Sequence, residues 1–114
     1  MVDFTDFMSE FIGCMTQRPR YERELEEDTV NGYHIDTCAV DDRDWLWETA
    51  ICHKRFNSGY WIVVQGYDTK EKAKAGHNMW IEKAKAGFQK LYDVYDEETY
   101  FNEEEIANES HVDA

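Results

Sequence analysis

Three cysteines, four histidines and a surplus of carboxylates are the side chains of this sequence that could do chemistry. His34 and Cys38 stand four residues apart, Cys52 and His53 are adjacent, and His77 stands by itself. A structural zinc site uses tight pairs such as C-x₂-C with a second pair downstream. That spacing is absent. On a strand, His34 and Cys38 point the same way but lie about 13 Å apart, too far for one ion. Cys52 and His53 point to opposite faces. The expectation is no metal and no cofactor. A Cys–His nucleophile needs an electropositive setting that lowers the thiol pKa, and an acidic chain does the reverse. Cys38 and Cys52 therefore read as sheet packing, although a bridge across a hairpin stays open.

Among the carboxylates, Glu48 lies between aromatic-rich positions of a strand-like run and is the one candidate for an acid in an apolar pocket. Its plain reading is an outward-facing strand residue. Asp36, Asp41, Asp42 and Asp44 cluster without the loop pattern of a calcium-binding hand. Ser58 lies in Asn57-Ser58-Gly59, which is no nucleophile elbow, and no glycine-rich phosphate loop is present. No catalytic residue is assigned.

Charge says more than any motif. Twenty-five acidic residues face twelve basic ones, a net charge of −13 over 114 residues. Such a chain repels phosphate backbones and anionic membranes and favours basic surfaces. Residues 93–113 hold nine carboxylates and no Lys or Arg. An aromatic content of 15% separates the chain from disordered acidic tails. The opening Met1-Val2-Asp3-Phe4 lacks the basic and apolar runs of a signal peptide, and the odd cysteine count reads as reduced thiols.

These residues need elements to hold them. Phe4, Phe7, Met8, Phe11, Ile12 and Met15 form one face of a helix over about 3–16. Gly13 and Pro19 mark its end. Residues 18–32 read as a polar connection, either a short charged helix or a loop. Asn31-Gly32 is a turn signal. Three strand-like runs follow, at Tyr33–Val40, Trp45–His53 and Tyr60–Tyr67, separated by short hairpin loops. Asp68, with Glu71 three residues on, reads as the N-cap of a helix. Its buried stripe is Ala73, Gly76, His77, Trp80, Ile81 and Ala84, and Gly87 ends it. Phe88, Leu91, Tyr92 and Tyr95 fit a further helical turn or a strand.

The predicted fold is α+β. An antiparallel meander of three or more strands packs against one main helix over about 69–86, with the N-terminal amphipathic helix added. One domain spans 1–95, and 96–114 is an acidic tail that Tyr100, Phe101 and Ile106 pin back in part.

Between Trp47 and Lys83 the chain resembles a group of small, mostly uncharacterised tailed-bacteriophage proteins. The shared residues are Trp47-Glu48-Thr49-Ala50-Ile51, then Trp61-Ile62-Val63-Val64, then Tyr67-Asp68-Thr69 and Ala75-Gly76-His77 with Trp80. The resemblance implies a phage protein and no activity.

The leading expectation is a non-enzymatic module that binds a protein with a basic surface, such as a host or defence protein that handles nucleic acid. Carboxylates would then stand in for phosphates. The expected contact residues are Asp93, Asp96, Glu97, Glu98, Glu103, Glu104 and Glu105, with Phe4, Phe7 and Phe11. Direct nucleic-acid and membrane binding are not expected, and a homo-oligomer stays open. The alternative is a virion head, connector or tail accessory subunit that assembles through its N-terminal helix and aromatic surface. The expected location is the host cytoplasm, or the virion in that alternative. A small enzyme is the third reading, and it needs His77 beside Cys52 or Glu48.

Overall fold

The computed structural model describes residues 23–103. The helix expected over 3–16, with Phe4, Phe7 and Phe11, lies outside the described residues, as do Glu104 and Glu105.

Asn31 and Gly32 both adopt left-handed backbone, with φ of 52° and 81°. This two-residue loop matches the twist of an antiparallel pair, and it joins β1 (Glu24–Val30) to β2 (Tyr33–Ala39). β2 pairs with β3 (Trp47–Cys52), and β3 pairs with β4 (Ile62–Tyr67). The sheet order is β1-β2-β3-β4, all antiparallel. The expected meander is therefore present with a fourth strand, and the segment read as a polar connection supplies it. β1 escapes an apolar-alternation test because its helix-facing side carries Glu26 and Asp28.

The main helix α1 (Lys70–Ala86) crosses one face of this sheet. Thr69, not Asp68, caps it: Thr69 Oγ1 accepts from the Lys72 amide at 3.1 Å. Asp68 instead pairs with the Lys72 ammonium. Gly87 ends the helix at φ 82°, as expected. Asn31 Nδ2 donates to the Ala84 carbonyl at 3.2 Å, so the tip of the first hairpin also satisfies the helix end. Gly76 is required by close approach. A Cβ there would stand 2.2 Å from the Tyr67 hydroxyl oxygen.

Tyr33, Ile35, Ile51, Phe56, Ile62, Val64, Ala84 and Leu91 form the core under α1, joined by Trp80, Ile81 and Phe88. Phe56, Ile35, Ile51 and Ile62 are fully buried, and each contributes roughly 1.5–3 kcal/mol. A bulge in β4 lets a polar layer share this face. Thr49 pairs with Gln65 and Ala50 with Val63, so Val64 is the extra residue. Before the bulge Ile62 and Val64 join the apolar core; after it Gln65 and Tyr67 share the side of Thr49 and Trp47.

Two expectations fail beyond β4. Residues 96–101 are not tail: β5 (Lys90–Asp93) and β6 (Glu98–Phe101) form a second antiparallel hairpin. Leu91 pairs with Tyr100, and both pack on the core, which gives this acidic segment an apolar side. Asp93 is not a surface carboxylate either. It is 2% exposed, and its oxygens accept from the amides of Val63, Tyr95 and Asp96 at 3.3, 2.9 and 2.8 Å. Three amide donors offset its burial, and it clamps the hairpin to β4.

Glu48 is a third correction. It lies on the sheet face away from α1, yet it is 0% exposed. Trp45 Nε1 donates to it at 3.1 Å and Arg43 Nε approaches to 3.2 Å. Burial raises its carboxyl pKa above the ordinary range, against the opposing pull of Trp45 and Arg43. Cys38, Val40 and Ala50, flanked by Trp45 and Trp61, pack on this side. Cys38 sits opposite Glu48 and Cys52 opposite His34, so the register leaves both as free thiols.

Candidate functional site

Eight polar side chains form one line beneath α1, crossing all four strands of the sheet. Asp28 on β1 approaches His77 Nε2 at 2.7 Å, and Glu26 approaches the same nitrogen at 3.6 Å. His77 Nδ1 lies 2.6 Å from Thr37 Oγ1 on β2. Thr37 Oγ1 lies 2.6 Å from Thr49 Oγ1 on β3. Thr49 Oγ1 lies 2.9 Å from the Tyr67 hydroxyl on β4, and that hydroxyl reaches Gln65 Oε1 at 3.3 Å. Trp80 Nε1, back on α1, donates to Gln65 Oε1 at 2.8 Å. The cross-strand pairs Glu26–Thr37, Thr37–Thr49 and Thr49–Gln65 put these groups in register. Gly76 brings α1 close enough for its neighbour His77 to reach them. His77, Thr37 and Thr49 are completely buried, whereas Glu26 and Asp28 are partly exposed.

Carboxylate, imidazole and hydroxyl in line have the order of a nucleophilic triad. Here the hydroxyl is Thr37, which is sealed in the sheet, and a substrate carbonyl has no path to it. The opposite end is different. Nε2 and the two carboxylates open at the β1 edge, and their ligand atoms all lie within 4.8 Å of one another. That end has the donor set of a metal or proton site.

The arrangement required by the enzyme reading is not assembled. On β3, Thr49 and Ile51 face α1, so Glu48 and Cys52 point away from His77. Burial raises the pKa of Cys52, whose thiol donates to the Gly59 carbonyl at 3.0 Å. Burial also holds Cys38 well above a normal thiol, with Asp36, Glu48 and Glu24 adding to it. Neither is a poised nucleophile.

The expected contact residues divide. Asp96, Glu97 and Glu98 are exposed at the tip of the β5–β6 hairpin, with Glu97 at φ 57° in the turn. Glu103 is exposed just beyond β6, its amide donating to the Arg55 carbonyl. Asp93 is buried beneath them. The same hairpin exposes three aromatics outside the expected contacts: Tyr92 at 50%, Tyr95 at 50% and Phe101 at 54%. Tyr92 pairs with Thr99 and Lys90 with Phe101, so one outer face carries all four. Tyr95 at the tip stacks under the Arg43 guanidinium, 3.7 Å from its ring centre. The lysines at 70, 72, 74, 83 and 85 are exposed on α1, with Glu71 and Glu82 among them.

Trp45, Tyr67, Ala75, Gly76 and Met79 line an open groove of about 610 Å³ beside β4. His53, Arg55, Asn31 and Asn102 line a smaller polar cavity of about 370 Å³ at the C-terminal end of α1. Burial and the charges of Arg55 and Lys54 lower the His53 pKa. No helix among the described residues is long and apolar enough to cross a membrane. The chain matches no protein-family model, no curated protein and no solved structure.

Glu26, Asp28, Thr37 and Gln65 escaped the sequence reading. One signal was available. A histidine on a buried helical stripe has two ring nitrogens, and each requires a partner from the facing sheet.

Proposed function

We propose that this protein is a non-enzymatic binding module that offers the β5–β6 hairpin to a partner with a basic surface. The observation that carries the reading is the pairing of half-exposed Tyr92 and Phe101 with Asp96, Glu97 and Glu98 on one small, rigidly anchored hairpin. Aromatic anchors beside charge are the usual composition of an interface centre and its rim. The net charge of −13 steers a cationic partner toward the protein. The lysine face of α1 turns such a partner away from that side. Asp93, held by three amides, fixes the hairpin before the partner arrives, which lowers the entropy cost of binding.

The resemblance to tailed-phage proteins suggests an infected cell as the setting and a nucleic-acid-handling host or defence protein as the partner. Its phosphate-binding groups would meet carboxylates. Affinity capture from host lysate tests this with the full chain, a Tyr92→Ala/Phe101→Ala variant and an Asp96→Asn/Glu97→Gln/Glu98→Gln variant. The expected result is one basic protein, held by the wild type, lost with either variant, and released near 1 M salt, where screening acts within about 3 Å. Capture indifferent to salt or to the hairpin substitutions would refute the reading. Capture of a capsid or tail protein would move the protein to the virion.

A further inference from the structure

The hydrogen bonds beneath α1 have a direction, and it is set at the end farthest from His77. Trp80 Nε1 can only donate, so the Gln65 atom 2.8 Å away is its carbonyl oxygen. The Tyr67 hydroxyl reaches that same acceptor at 3.3 Å and gives its single proton there. With that proton on Gln65, Tyr67 accepts from Thr49, and Thr49 from Thr37. Thr37, its proton spent, accepts from His77 Nδ1. This polarity satisfies the contacts from Trp80 to His77 Nδ1 and leaves the one between Nε2 and Asp28 without a hydrogen. It places the imidazole hydrogen on Nδ1 and turns the Nε2 lone pair toward Asp28 Oδ2 at 2.7 Å and Glu26 Oε2 at 3.6 Å. A lone pair facing two carboxylates is repulsive unless a cation stands among them.

We propose that Glu26, Asp28 and His77 bind a divalent transition-metal ion of the zinc class. Nε2 and one oxygen from each carboxylate are the protein ligands. Bonds of about 2.0–2.2 Å in a tetrahedron separate ligand atoms by roughly 3.3 Å. The distances to Nε2, 2.7 and 3.6 Å, bracket that value, so a small outward turn of Asp28 admits the ion. Thr37 orients the ring through its second nitrogen, as a metal-bound imidazole is oriented. The imidazole selects zinc, cobalt or nickel over magnesium and calcium, which prefer oxygen. The two carboxylates are partly exposed at a sheet edge, which gives the ion access from solvent and leaves coordination positions for water.

The test is titration of the purified full chain with Zn²⁺ against a chromophoric chelator, with Co²⁺ as a spectroscopic probe. The expected result is one equivalent bound, cobalt bands that show a nitrogen–oxygen ligand set, and no competition from excess Mg²⁺ or Ca²⁺. Asp28→Asn and Glu26→Gln, both on partly exposed edge positions, should each weaken uptake roughly tenfold or more while the circular dichroism spectrum is kept. Asp96→Asn/Glu97→Gln/Glu98→Gln should leave uptake unchanged, which separates this site from the hairpin. Long-range ¹H–¹⁵N NMR of His77 should show hydrogen on Nδ1 with Nε2 shifted by metal. Failure to bind zinc stoichiometrically, or binding indifferent to both Asp28→Asn and Glu26→Gln, would overturn the proposal.

Discussion

Gly76→Ala sets two effects against each other. In an exposed helix interior the change stabilises by about 1 kcal/mol. Here the new Cβ would stand 2.2, 2.3 and 2.4 Å from the Oη, Cε1 and Cζ atoms of Tyr67. Tyr67 is buried and held by Thr49 and Gln65, so it cannot swing aside freely. Overpacking of this kind costs about 1–3 kcal/mol. Displacing the hydroxyl leaves buried polar partners unsatisfied, at about 1–3 kcal/mol more. The clash wins, with a net loss of about 3 kcal/mol and a fall in Tm of roughly 12–24 °C. Urea unfolding of both proteins measures it. The control is the same change in a Tyr67→Ala background, where the obstacle is gone and Gly76→Ala should stabilise by about 1 kcal/mol. Equal stability of Gly76→Ala and wild type, with no difference between backgrounds, would refute the close approach on which the position of His77 depends.

Thr37→Val keeps shape but breaks the hydroxyl line between His77 and Thr49; a loss of about 2–3 kcal/mol in denaturant unfolding is expected. Glu48 has a raised pKa in the folded state, so its protonation favours folding. That contribution is complete below the ordinary glutamate value of 4.5 and is lost as pH rises through the folded value. The unfolding free energy of wild type minus that of Glu48→Gln should therefore rise as pH falls from roughly 8 to 4, and a flat difference would contradict the burial. Cys38 and Cys52, both with raised pKa, should resist iodoacetamide in the folded protein and react after unfolding, as read by peptide mass spectrometry. Asn31→Ala removes the amide donor to Ala84 and forces alanine to φ 52°; a loss of about 1–2 kcal/mol is expected, and less for Asn31→Gly.

What the sequence announced depended on apolar alternation. β2, β3 and β4 carry it, and α1 shows its stripe from Ala73 to Ala84, so these elements could be read directly. β1 could not, because its helix-facing positions 26 and 28 are acidic and face a helix histidine 49 residues after Asp28. The β5–β6 hairpin was hidden by composition: a run dense in carboxylates resembles a tail unless the Leu91–Tyr100 pair is noticed. Glu48 looked outward-facing because strand alternation reports which face a residue takes, not whether that face is covered. Asp93 was grouped with its exposed neighbours because amide donors from a folded turn leave no trace in charge counts. His77 was recognised as a packing residue, but its partners come from β1 and β2, and only the register of the sheet brings them together.

The most direct test of where the partner sits uses a photo-crosslinking phenylalanine at position 92, with the same group at position 74 on the lysine face as control. Irradiation in cells that produce the protein should join a basic protein to position 92 and leave position 74 unreacted. Crosslinks from position 74 alone, or none at position 92 while the partner still co-purifies, would contradict the assignment of the hairpin as the binding surface.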